Sequence, residues 1–250
     1  MTSNVYGDLE QGPEPLATPS RVLAIGAHPD DIEFGSGATL ARWASEGSHI
    51  IMAIVTDGSK GTWDADVDPE RLAAMRREEQ GAAARRIGAA EVVHLGYVDG
   101  ELEYTMELRS RMARLIREHR PDVVLSHDPW QRYQMHPDHR AAGIGVVDGV
   151  VAARDPLFFK EHGLAHHRPG ALLLWSADMP DHSEPASDEA LLAKVEALLC
   201  HRSQAKTTMA GADDGEDERE AFATRVRSWA RRAGEGFGAE NAEVFKRLTP

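Results

Sequence analysis

Short apolar runs alternate along the chain with longer segments whose apolar positions recur at helical spacing. Residues 22–25 (Val-Leu-Ala-Ile), followed by Gly26 and Pro29, read as a central strand, because a strand covered on both faces is apolar throughout. Residues 38–44 then show helical periodicity up to a stop near Gly47 and predict a first crossover helix. The same pattern continues: strands over 48–55, 92–95, 123–126 and 171–175 alternate with helices over 68–87, 107–119, 138–151 and 187–200. Pro69 in a first turn and Gly88 past a last turn bound one helix, and Ser187 caps another that opens on Asp188 and Glu189. Such alternation predicts an α/β fold with a mostly parallel sheet and helices on both faces. Further on, residues 221–233 read as helical, 240–248 as a last helix or strand, and the acidic run 213–218 as a solvated loop.

Composition narrows the class of protein. At 250 residues the pattern fits a single domain over 21–250. Residues 1–20 carry Asp8, Glu10 and Glu14 among prolines and glycines, with no apolar stretch, and are expected to be a flexible N-terminal tail rather than a signal peptide or membrane anchor. A net charge of −13 argues against nucleic acid as a partner, since a phosphate backbone calls for a basic footprint. The single cysteine, Cys200, allows neither an internal disulfide nor a thiolate metal site. These features predict a cytoplasmic protein without a membrane partner, in which any metal rests on histidines and carboxylates.

Two clusters offer such ligands. Ala27-His28-Pro29-Asp30-Asp31 follows the first strand and His136-Pro137-Asp138-His139 follows the fourth across a loop, so both belong at the carboxyl edge of the sheet, where α/β proteins bind ligands. His28, Asp31 and His139 supply the three nitrogen and oxygen ligands of a catalytic zinc, which leaves a further position for water. Asp30, beside a ligand but free of the metal, is the candidate general base. His136, as imidazolium, can stabilise an oxyanion and protonate a leaving amine, and Asp138 can hold that imidazole in place. The glycine-rich loop 56–61 and the strand-end loop 97–100 border the same edge.

The two motifs, Ala-His-Pro-Asp-Asp and His-Pro-Asp-His in this order, resemble those of the LmbE-like (PIG-L) zinc-dependent N-deacetylases, over roughly residues 21–202. That resemblance implies a Rossmann-like fold, zinc or iron at the metal site, and hydrolysis of an N-acetyl or related acyl group from an amino-sugar conjugate such as an N-acetylglucosaminide. It assigns the same roles to His28, Asp31, His139, Asp30 and His136. It adds Arg76, in an Arg-x-x-Glu pattern with Glu79, and Asp99 as groups that reach the sugar, and it implies assembly as a trimer or hexamer. His-Asp-Pro-Trp at 127–130 and His-Arg-Ser-Gln at 201–204 are also similar to family segments. The sequence Trp130-Gln131-Arg132-Tyr133-Gln134-Met135 before the second motif departs from the pattern of the mycothiol enzymes.

Two other readings compete. Glu33-Phe34-Gly35-Ser36-Gly37 resembles the glycine motif of an S-adenosylmethionine-dependent methyltransferase, although its glycines lie too far past the strand. A non-catalytic glycan-binding module on the same fold is the other, and Asp30 and His136 would be superfluous in it.

Overall fold

The computed structural model describes residues 14–212 and 215–250. Five strands run parallel: β1 (Arg21–Gly26), β2 (His49–Thr56), β3 (Glu91–Tyr97), β4 (Val123–His127) and β5 (Ala171–Trp175). Two more extend the sheet antiparallel, β6 (His182–Pro185) and β7 (Ala242–Leu248), giving the order β3-β2-β1-β4-β5-β7-β6. Side chains alternate between the two faces, as a pleated strand requires. Leu23 and Ile25 of β1 pack with α3 (Met106–His119) and α4 (Pro137–Arg154). Val22 and Ala24 pack on the other face with α1 (Asp31–Ser45), α2 (Pro69–Ile87) and α5 (Asp188–Leu198). The expected mostly parallel sheet, covered on both faces, is what forms.

Local chemistry explains most boundaries. Asp68 caps α2 by accepting the Glu70 N–H, Pro69 fills the first turn, and Gly88 ends the helix at φ 86°, in the left-handed region that costs glycine nothing. Thr105 and Ser187 cap α3 and α5 in the same way. Helix α1 begins at Asp31, earlier than its periodicity predicted, and changes direction at Ser36. Past that kink the N–H groups of Ala38 and Thr39 donate to the carboxylate of Glu243 at 3.1 and 2.7 Å, and Lys194 Nζ pairs with it at 2.6 Å. A β7 side chain thus caps the second half of α1.

Three further expectations are corrected or completed. The second half of the acidic run is helix rather than loop: Glu216, Asp217 and Glu218, exposed to solvent, form the first turn of α6 (Glu216–Glu235), where negative charge favours the helix N-terminus, while Asp213 and Asp214 lie outside the described residues. The expected tail falls outside the described residues up to 13. Its described part is docked, with Leu16 N–H on Glu184 Oε1 at 2.9 Å and Ser20 O accepting the His49 N–H at 2.9 Å. The segment 240–248 resolves to strand β7, and β6 is an edge strand that the pattern did not predict.

Candidate active site

Strands β1 and β4 are neighbours in register, with Ile25 opposite Ser126, so the loops after them open at one place. Helix α1 starts in the first loop and α4 in the second, with Pro137 in its first turn and His136 as its N-cap. This topology brings the two motifs together. His28 Nδ1 lies 3.2 Å from His139 Nε2 and 3.4 Å from Asp31 Oδ2, and His139 Nε2 lies 3.2 Å from Asp31 Oδ1. Ligand atoms about 2.0–2.1 Å from a tetrahedral ion are separated by about 3.3–3.4 Å. The three residues therefore present their ligand atoms at the spacing that a small divalent ion needs.

The groups around these three residues concentrate negative charge. His28 Nε2 lies 3.1 Å from Asp99 Oδ1 and 3.1 Å from Asp138 Oδ2. Nε2 is thereby turned toward two carboxylates and Nδ1 toward Asp31 and His139, the arrangement by which outer carboxylates orient a ligand imidazole. Burial opposes charge on His28, but Asp138, Asp31 and Asp99 outweigh it and raise its pKa well above the usual histidine value. Against its own burial, Asp31 is held well below the ordinary carboxylate range by His139 and His127.

Asp30 is buried at the edge of the same cluster with φ 98°, a left-handed conformation that costs a non-glycine residue roughly 1–3 kcal/mol. Its N–H donates to Gln80 Oε1, and Gln80 in turn donates to Glu33 Oε1 at 2.6 Å. Its Oδ2 has no hydrogen-bond partner among the described residues, and the nearest cation is Arg76 Nη2 at 3.7 Å. Burial drives its pKa up to about 6, with Arg76 working the other way. An unsatisfied, strained, easily protonated carboxylate beside a metal cradle has the properties of a general base.

Two expectations about the second motif change. Asp138 does not hold the His136 imidazole: its carboxylate accepts the N–H groups of Gly100 at 2.7 Å and Leu102 at 3.2 Å and faces His28. Residues two apart at a helix start diverge, so the side chain of Asp138 points into the protein while His136 stays at the rim. Nor does His136 favour the imidazolium form. Burial, then His28 and His139, lower its pKa, and its Nδ1 accepts the Asp138 N–H at 3.3 Å, which leaves the proton of a neutral ring on Nε2.

Arg76 and Asp99 both line the cavity at this site, about 460 Å³ in volume. Arg76 also braces its floor, donating to Gly58 O at 3.0 Å and Pro29 O at 2.7 Å, and it makes no pair with Glu79, whose carboxylate accepts from Ser203. Asp99 accepts the Lys60 N–H at 3.0 Å besides facing His28. Lys60 and Gly61 of the loop after β2 line the cavity as well, together with Trp63, whose ring is 79% exposed. Sequence reasoning gave no role to His127 or Trp63. His127 ends β4 as His28 follows β1, and that strand-end placement was the signal available for it. The glycines of the methyltransferase-like stretch lie inside α1, and Gly35 packs so closely under Trp175 that a Cβ would fall 2.4 Å from its ring.

Residues 23–149 match the family model of PIG-L, GlcNAc-PI de-N-acetylase. The diacetylchitobiose deacetylase of Thermococcus kodakarensis is 36% identical over 194 residues, spanning 76% of this chain and 72% of that protein. The chain belongs to the PIG-L family. Among solved structures, the N,N'-diacetylchitobiose deacetylase of Pyrococcus horikoshii, in complex with an inhibitor, superposes with a TM-score of 0.82 at 31% identity, covering 92% of this chain and 84% of that one. A 1D-myo-inositol 2-acetamido-2-deoxy-alpha-D-glucopyranoside deacetylase of Catenulispora acidiphila is 32% identical over 199 residues, spanning 68% of this chain and 60% of that protein. The PIG-L match covers β1 through most of α4, and so contains both motifs.

Proposed function

We propose that this PIG-L-family protein is a zinc-dependent hydrolase that removes an N-acetyl group from an amino-sugar conjugate. One observation carries the reading: His28, Asp31 and His139 present two nitrogens and a carboxylate at metal-ligand spacing beside the unpartnered carboxylate of Asp30. Two imidazoles, one carboxylate and no thiolate form a donor set suited to zinc. A divalent ion held there would supply Lewis acidity, making water acidic enough to ionise near neutral pH and polarising a carbonyl.

The chain's own residues then perform the proton transfers. Asp30 takes a proton from the attacking water as the new C–O bond forms. His136 donates its Nε2–H to the oxygen on which negative charge develops. When the C–N bond breaks, Asp30 returns its proton to the departing nitrogen, leaving acetate and a free amine. A carboxyl group with a pKa near 6 can both accept and release that proton.

The substrate reading is a sugar bearing a further group. A cavity of about 460 Å³ exceeds what one acetylated sugar ring fills, and the exposed Trp63 ring on its rim offers a flat apolar surface to a second ring. Arg76 and Asp99 line the same cavity, which supports reading them as groups that reach the sugar. The acidic chain with a single cysteine supports action on a soluble conjugate in the cytoplasm, and among the described residues no helix is long and apolar enough to cross a membrane. Measuring acetate release by zinc-loaded protein from N-acetylglucosamine, N,N'-diacetylchitobiose and an inositol-linked N-acetylglucosaminide tests the reading. Turnover of at least one conjugate, at a lower KM than for the monosaccharide, is expected. No acetate from any of the three would refute it.

A further inference from the structure

Behind Asp31 lies an imidazole that the proposed reaction does not use. His127 is buried at the end of β4, its ring stacked on that of His139 with centroids 4.3 Å apart. Its Nε2 is 3.2 Å from Asp31 Oδ2 and 3.2 Å from the backbone N of Ala27, and its Nδ1 is 3.1 Å from the indole nitrogen of Trp175. By distance alone, His127 could join Asp31 and His139 as a metal ligand, since the three bring ligand atoms within 4.8 Å of one another.

The hydrogen-bond inventory decides otherwise. An indole N–H can only donate, so Nδ1 of His127 must offer its lone pair. The proton of the neutral ring is then on Nε2, where Asp31 Oδ2 is an acceptor within reach. The opposite tautomer would set Nδ1–H head-on against the indole N–H and a bare Nε2 against a carboxylate oxygen. It would gain only the Ala27 N–H, one favourable contact against two repulsive ones, whereas the Nε2-protonated ring makes two favourable contacts and faces one donor, the Ala27 N–H. Coordination through Nε2 requires that same disfavoured tautomer. Trp175 is itself fixed, 2% exposed and closely packed over Gly35.

We propose that Trp175 locks His127 in its Nε2-protonated tautomer, so that His127 is a positioning residue that holds the Asp31 carboxylate and is barred from the metal. The proposal rests on Asp31 as a ligand. Its consequence is functional: a fourth protein ligand would make the closed set typical of structural zinc sites, whereas three leave a position for water. The lock keeps the site open.

Nitrogen–proton correlation spectra of the metal-free protein read the tautomer directly, with the His127 signals identified by their loss in His127→Gln. A proton on Nε2 and a bare Nδ1 are expected; a proton on Nδ1 overturns the proposal. Zinc affinities of variants supply the second readout. The amide of His127→Gln can still donate to Asp31, so zinc should bind about as tightly as to wild type, while His127→Leu should lose about 10–100-fold. Trp175→Phe keeps an aromatic ring but removes the donor that fixes the tautomer, so a signal for Nδ1–H should appear in the same nitrogen–proton spectra. A loss in His127→Gln as large as in His28→Ala would make His127 a ligand and overturn the proposal, as would unchanged affinity in His127→Leu or an unmoved tautomer in Trp175→Phe. A wild type that binds no zinc would refute the metal reading instead, and the tautomer spectrum would still decide the lock.

Discussion

Replacing Asp138 by asparagine tests whether the second-motif carboxylate serves His28 or His136. The substitution keeps the shape and exchanges one acceptor oxygen for an NH₂ donor. Three donors converge on Asp138: Gly100 N–H at 2.7 Å and His28 Nε2 at 3.1 Å on Oδ2, and Leu102 N–H at 3.2 Å on Oδ1. Whichever way the amide turns, its NH₂ meets a donor. The better orientation strands only Leu102, and one buried unsatisfied N–H costs about 1–3 kcal/mol. For a chain of this length, each kcal/mol lowers the Tm of the metal-free protein by about 2–4 °C. The remaining amide oxygen is a weaker, neutral acceptor for His28 Nε2–H, and Asp99 at 3.1 Å shares that proton, so the loss of zinc affinity should lie near the lower end of the 10–100-fold range, about tenfold. Competition against a chromophoric chelator gives the affinity, and thermal melting of the metal-free variant gives the stability. Because Asp138 does not hold the His136 ring, the basic limb of the rate profile at saturating zinc should stay in place. Unchanged zinc affinity together with a shifted basic limb would refute this reasoning and return Asp138 to His136.

Asp30→Asn should retain about one zinc per chain while kcat falls by roughly a hundredfold or more; near-normal kcat would reduce Asp30 to a turn residue. Glu243→Ala leaves the buried Lys194 ammonium unpaired and uncaps the second half of α1, and should destabilise the protein by about 3–5 kcal/mol in denaturant melts. Burial works against charge on His201, but Glu33, with its Oε1 3.7 Å away, leads the carboxylates that raise its pKa above the usual value. A raised folded-state pKa means that its stabilisation is complete below the unfolded value of about 6.5 and is lost as pH rises through the folded one. Metal-free protein should therefore lose Tm across that interval, and His201→Asn should flatten the loss; an equal slope in both would contradict it.

The parts of this molecule that were legible from sequence are those that local pattern controls. The apolar runs that became β1, β2, β4 and β5, and the caps Pro69, Gly88 and Ser187, act within a few residues of themselves. The meeting of the two motifs was legible because loops at parallel strand ends converge when β1 and β4 are neighbours. What escaped depends on partners distant in sequence. Helix α1 runs through Gly35-Ser36-Gly37, which looks like a loop, because Trp175, Lys194 and Glu243 pack and cap it from far along the chain. Strand β6 has only four residues, His-Ser-Glu-Pro, and forms because β7 pairs with it at the sheet edge. The acidic run read as solvated charge, yet charge in a first helical turn is equally at home. The partner of Asp138 could not be read from spacing, since it is set by the loop 100–102 and by His28 across the site.

If His28, Asp31 and His139 hold one ion on which amide hydrolysis depends, returning zinc to chelated protein restores turnover. Acetate release from N,N'-diacetylchitobiose is followed as zinc is titrated in. The expected course is no turnover in the metal-free protein, a linear rise, and saturation at about one ion per chain, with His139→Ala failing to recover at the same zinc concentration. Full turnover without metal, or recovery in His139→Ala at one ion per chain, would contradict it.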